Sequence, residues 1–205
     1  VSITTALATQ EGTLEKLRAA CRTLFVRDGF HQARPQDIAR EAGFANGTFY
    51  LHFKDKQEAF LDFAHQAQDE LRAEYDSNLS GVVGHRERWL VIINTVLDFS
   101  ENNPGVLLAA FTDPVFIAPE HETAWILYDR MSQFVEMAVD DAGIYKSLSA
   151  RCNTELLSHA LSGMLRHAMI YSYRRQVSRA ELVEELVGFI DRALELRDEK
   201  KGMEE

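Results

Sequence analysis

Cysteine is scarce in this 205-residue chain: Cys21 and Cys152 stand far apart, with no CxxC pattern and no Cys/His ligand spacing. That excludes a disulfide scaffold and a zinc module, and it points to a reducing compartment. Proline is scarce too, four in all, and 46% of the residues are hydrophobic, which argues against disorder. No apolar run approaches the roughly 18 residues that a membrane span requires. Residues 1–12 lack a basic stretch followed by an apolar one, so no signal peptide is read there and the cytoplasm is the expected compartment. Also missing are a nucleophile elbow, a HExxH pair and a phosphate loop. The seven histidines and 32 carboxylates are scattered. The expectation is no enzyme, no cofactor and no metal.

Positive charge is short as well, with a net charge of −10. Its distribution is uneven. Of the 22 basic and 32 acidic residues, eight and seven lie in 1–60, leaving 14 against 25 in the remainder. The first 60 residues are thus relieved of the acidity of the body, which leaves them able to approach an anionic partner.

What is present is helix, organised around 34–56 (RPQDIAREAGFANGTFYLHFKDK). Pro35 suits the first position of a helix, where its missing N–H is not needed, and Asp37 favours the positive end of the dipole. Gly43 is the stop, since glycine reaches positive φ without a Cβ clash. A second short helix is expected from Asn46 to Phe53. Phe49 and Phe53, four apart, face the core, and Thr48, Tyr50 and His52 are left for other faces. Such a helix is a poor core element and a natural one to lay in a DNA groove.

Gly29-Phe30, Asp37-Ile38-Ala39, Ala42-Gly43, Gly47-Thr48-Phe49-Tyr50, Phe53-Lys54 and Lys56 carry a resemblance to the tetracycline-repressor (TetR) family of bacterial transcription regulators, over about the first third of the chain. The resemblance implies that Asn46 and Gly47 read bases and that Thr48 and Tyr50 meet phosphates or thymine methyls. It further implies that His52 meets the DNA backbone, that Lys56 holds a phosphate, and that Arg34 and Gln36 reach phosphates or a guanine edge. The chain departs from the family at two helix starts. Ala33-Arg34 and Ala45 stand where Thr or Ser is common, so good N-caps are lost and Asn46 becomes a candidate cap.

Elsewhere, 13–28 carries Leu14, Leu17, Cys21, Leu24 and Phe25 at helical spacing. Asp55 and Glu58 form a capping-box pattern for a long helix to about 75–79, with Phe60, Leu61, Ala64, Ala67 and Leu71 inward. That helix is the expected link between head and body. Further helices are expected over 85–102, after Pro104, over 120–141, 153–174 and 178–197. A loop is expected over 112–119 and a connection over 141–149.

The fold expected is all-α: a flexible arm (1–12), a three-helix DNA-binding domain with a helix-turn-helix (13–56), a helical ligand-binding and dimerisation domain (57–198), and a charged tail (199–205). The resemblance implies an effector pocket, and Trp89, Asn94, Phe99, Phe111, Trp125, Tyr128, Met131, Phe134 and His167 are candidates to line it, with His121 and Arg130 as further polar groups. Leu156, Ala160, Gly163, His167, Leu186, Phe189 and Ile190 are candidates for a homodimer interface. The function expected is a ligand-responsive repressor that binds a palindromic operator in double-stranded DNA and leaves it on binding an apolar or amphipathic effector. The alternative is a helical sensing protein with a degenerated head. No membrane partner is expected.

Overall fold

The computed structural model describes residues 3–110, 117–130, 133 and 153–194, with side chains placed from residue 11 onward. Every regular element among them is helical. In chain order they are α1 (Ile3–Gln32), α2 (Pro35–Glu41), α3 (Asn46–Phe49), α4 (Lys56–Asn78), α5 (His85–Asn102), α6 (Val106–Ala110), α7 (Glu122–Arg130), α8 (Thr154–Arg175) and α9 (Arg179–Leu194). The all-α architecture expected of the sequence is the one observed. No helix among the described residues is long and apolar enough to cross a membrane.

The chain divides into two compact units. Val1–Ala73 with Asp98–Asp129 make the first, and Glu74–Leu97 with Arg130–Glu205 the second. The division falls later than the boundary expected after residue 56, because the first part of α4 shares a core with α1. Leu17, Cys21, Leu24 and Phe25 of α1 are buried together with Phe60, Phe63, Ala64, Ala67 and Leu71 of α4. Phe25 lies edge-on to Phe60 at 5.5 Å and 5.7 Å from Phe63. Polar pairs edge this seam: Arg18 with Asp62, and Arg22 with Glu70 at 2.7 Å.

Two local outcomes differ from expectation in this unit. Helical backbone begins at Ile3 rather than near residue 13. The segment 3–12 holds no proline, and its Ala, Leu, Gln and Glu residues favour helix, against a cost of about 1 kcal/mol at Gly12. At the other end, Gly29 (φ 75°, ψ 165°) breaks the helical path inside α1. Phe30 thereby turns back onto Phe60, 5.2 Å away.

In the second unit, α8 starts at Asn153, whose side chain accepts a hydrogen bond from Leu156 N at 3.0 Å. It ends at Gln176, which takes a left-handed conformation (φ 56°, ψ 38°). Ser178 Oγ then accepts from Glu181 N at 3.2 Å, the cap expected for α9. Leu182, Val183, Leu186, Val187 and Ile190 form the buried stripe of α9. The expected connection at 141–149, the end of the 120–141 helix, Cys152 and the tail at 199–205 lie outside the described residues.

Candidate nucleic-acid interface

Helix α2 starts with Pro35 at its first position and with no side-chain cap from Arg34, and Asp37 stands in its first turn. Its end is a Schellman motif. Gly43 N donates to Arg40 O (3.0 Å) and Phe44 N to Ala39 O (2.8 Å), while Gly43 sits at φ 80°. The chain therefore reverses within Ala42–Phe44, and Ile38 and Ala39 are buried under the turn.

Helix α3 is one turn, Asn46–Phe49, shorter than the expected run to Phe53. Thr48, Phe49, Tyr50, His52 and Phe53 are all weak helix formers. After Phe49 the backbone continues in tight turns, with Leu51 N donating to Thr48 O (3.2 Å) and His52 N to Phe49 O (3.0 Å). Ala45 occupies the N-cap position and no side chain caps the helix, so Asn46, the first helical residue, does not serve as the cap. Phe49 and Phe53 are buried with their rings 5.4 Å apart, and they anchor the turn.

Around that anchor the candidate DNA-binding side chains are displayed outward. Arg34, Gln36, Asn46, Gly47 and Tyr50 are exposed, and Thr48 and His52 are half-buried. Leu51, absent from the sequence-derived set, is 78% exposed beside Tyr50 at 53%. An apolar side chain left in water on a reading head suits contact with a thymine methyl. The signal in the sequence was its place between Tyr50 and His52, flanked by the buried Phe49 and Phe53. Arg40 is paired with Asp37 at 2.6 Å.

Lys56 is the departure. Its Nζ donates to Phe30 O at 2.8 Å and to His31 O at 3.4 Å, and it lies 4.3 Å from the centroid of the Phe30 ring. Desolvation, followed by the nearby Arg34 charge, pushes its pKa below the usual lysine value. The ammonium expected at a phosphate is turned to the end of α1. At the start of α4, Asp55 Oδ1 accepts from Glu58 N at 2.8 Å, and Glu58 accepts in return from Lys54 N.

The effector-pocket candidates fall in both units. Trp89, Asn94 and His167 belong to the second, and Phe99, Trp125 and Tyr128 to the first. Phe111, Met131 and Phe134 lie outside the described residues. Trp89 and Phe99 are buried. Asn94 is engaged at both ends, donating to Leu90 O at 2.8 Å and accepting from Arg179 Nη2 at 2.8 Å and Nε at 3.0 Å. Trp125 is half exposed, and its indole N–H donates to Pro119 O at 3.0 Å. His167 is on the surface, with Nδ1 3.1 Å from Gly163 O. Its exposure, and the bonds that occupy Asn94, set these two apart from a buried apolar lining. A surface groove of about 390 Å³ in the second unit is lined by Arg86, Glu184, Glu185, Gly188, Asp191 and Arg192, which suits no apolar ligand. Among the described residues no three His, Cys, Asp or Glu side chains are grouped to hold a metal.

Of the dimer candidates, Leu156, Ala160, Gly163 and His167 form one exposed line along α8, with Phe189 exposed on α9. Nothing lies within 4 Å of where a Cβ on Gly163 would stand. Leu186 and Ile190 are different: at 6% and 2% exposure they are buried within the chain, because α9 turns that stripe inward.

Among the described residues the chain is all helical, and its head is a helix-turn-helix whose turn is closed by a Schellman motif. Residues 17–62 match the family model described as bacterial regulatory proteins, tetR family. It is 29% identical over 93 residues to an uncharacterized HTH-type transcriptional regulator of Haemophilus influenzae; the match takes in 45% of this chain and half the length of that relative. It is 25% identical over 156 residues to the HTH-type regulator YdgC of Bacillus subtilis, covering 74% of this chain and 75% of the other. Its fold is that of the fatty acid degradation regulator FadR from Bacillus halodurans, with a TM-score of 0.66 at 17% identity over 88% of this chain and 93% of that one.

Proposed function

We propose that the chain is a homodimeric, ligand-responsive repressor that binds a palindromic operator through Arg34, Gln36, Asn46, Gly47, Thr48, Tyr50, Leu51 and His52. One observation carries the reading: α3 buries only Phe49 of its four residues and leaves Asn46, Gly47 and the following Tyr50 to solvent. A helix of that length contributes little core, so its outward side chains are where its use lies. Asn46 and Gly47 at the leading end read base edges, and Tyr50, His52 and Arg34 hold phosphates. One head covers a half-site. Two on a two-fold axis match an inverted repeat with centres about 34–36 Å apart.

The exposed line on α8 with Phe189 supplies the face for the second copy. An apolar or amphipathic effector acts by binding better to a state in which the heads are mis-set for the operator. Gln68 is the first polar group to test as an effector contact. It is buried, its Nε2 donates to Leu127 O at 3.0 Å, and among the described residues its carboxamide oxygen has no donor.

The test is selection from a random duplex DNA pool, followed by binding of the selected site across salt concentrations. Recovery of an inverted repeat, with affinity falling steeply in salt, supports the reading. Recovery of no enriched site would replace it with a sensing protein whose head no longer reads DNA.

A further inference from the structure

Lys56 turns its ammonium to the end of α1. It opens α4, where a cation faces the positive end of a helix dipole, an unfavourable place for it. What offsets this is the end of α1. The path of that helix is broken at Gly29, and the carbonyls of its last residues need donors from elsewhere. Lys56 Nζ supplies them to Phe30 O and His31 O, at the negative end of the α1 dipole, and covers the Phe30 ring. Phe30 in turn contacts Phe60, one turn along α4. Only Ala33 and Arg34 separate α1 from α2, so whatever holds the end of α1 sets the start of the helix-turn-helix.

We infer that Lys56 is a positioning residue that locks the carbonyl end of α1, and through it α2 and α3, to the start of α4, and that it touches no DNA phosphate. The inference rests on the DNA-binding reading of the head. It assigns one joint between α4 and the reading surface to one ammonium and two carbonyls, beside the contact of Phe30 with Phe60. The depressed lysine pKa has the same origin, since a group serving this joint is partly removed from water.

The experiment compares wild type, Lys56→Met and the exposed control Lys54→Met on the selected operator. Affinity is taken per active molecule, well below the melting transitions, at several salt concentrations. The expected result for Lys56→Met is an affinity loss of about tenfold with the salt slope unchanged. A loss confined to the active fraction, with affinity per active molecule intact, would mean a stabilising role only and would overturn the inference. A fall in slope of about 0.9 for each phosphate contact removed would overturn it as well. Amide hydrogen exchange provides a readout without DNA: 29–34 and α2 should exchange faster in Lys56→Met and not in Lys54→Met. If wild type selects no operator, the DNA-binding reading falls and exchange alone decides the clamp. Unchanged protection would then end it.

Discussion

Arg18 on α1 and Asp62 on α4 meet side by side, Nη2 to Oδ1 at 2.9 Å and Nε to Oδ2 at 3.1 Å, and Gln66 adds a bond to the same carboxylate at 2.7 Å. The pair is about two-thirds buried, and Asp62 is the main reason the Arg18 pKa is raised. A planar guanidinium on a planar carboxylate is specific in geometry as well as favourable. Among the described residues, Asp62→Ala leaves Arg18 only Glu15, on its own helix. The expected loss is about 1 kcal/mol, discounted for solvent screening, seen as a fall of roughly 2–4 °C in melting temperature. Arg18→Ala and the double variant complete a cycle, and additive effects would show that the pair is not coupled.

Cys21 lies in the α1 stripe at 1% exposure, and burial, with a smaller contribution from Asp62, pushes its thiol pKa up to about 12. The folded state therefore keeps a proton that the unfolded chain releases near pH 8.5. A raised acid pKa gives stability that is whole below the unfolded value and is lost as pH climbs toward the folded one. Burial raises the Tyr75 pKa too, so its effect has the same sign. Melting temperature should fall from about pH 8.5 upward, and less steeply in Cys21→Ala. A thiol reagent at neutral pH should label native Cys21 only on the timescale of opening; rapid labelling would contradict its burial.

Ala45 is the uncapped N-cap of α3, with φ −69° and ψ 151°, the extended geometry a capping residue takes. A serine there can accept from an N–H group of the first turn. Ala45→Ser should stabilise the head by about 0.5–2 kcal/mol, measured as slower amide exchange across α3. The contrary loss is available at α8: Asn153→Ala removes the bond from Leu156 N and should cost about 1 kcal/mol.

The turn of the motif was legible because its causes are local. Gly43 needed positive φ, Pro35 marked a first turn, and the Phe49–Phe53 spacing set the inward face. The extent of α3 was not legible to the same degree, since weak helix formers decide it one residue at a time. Nor was the orientation of Lys56, which depends on carbonyls 25 and 26 residues earlier in the chain. The inward turn of Leu186 and Ile190 shows the same limit. Periodicity located the apolar stripe of α9 but could not say whether the chain itself or a second copy covers it.

That ambiguity separates two classes of substitution on α8 and α9. Leu156, 67% exposed, and Phe189, 52% exposed, leave apolar surface in water, with Ala160 and Gly163 on the same line as Leu156. Ala160→Glu places a good helix former on an exposed site, so the monomer should keep its melting temperature within about 0.5 kcal/mol. If two copies meet along this line, each brings a carboxylate toward its mate in a place that excludes water. Dimer dissociation, followed by sedimentation, should then weaken the association by at least about tenfold. Operator affinity should fall with it, because one head holds only a half-site. Ile190→Glu puts the same charge at 2% exposure inside the unit and should unfold it instead. A dimer unmoved by Ala160→Glu would place the two-fold contact away from the α8 line.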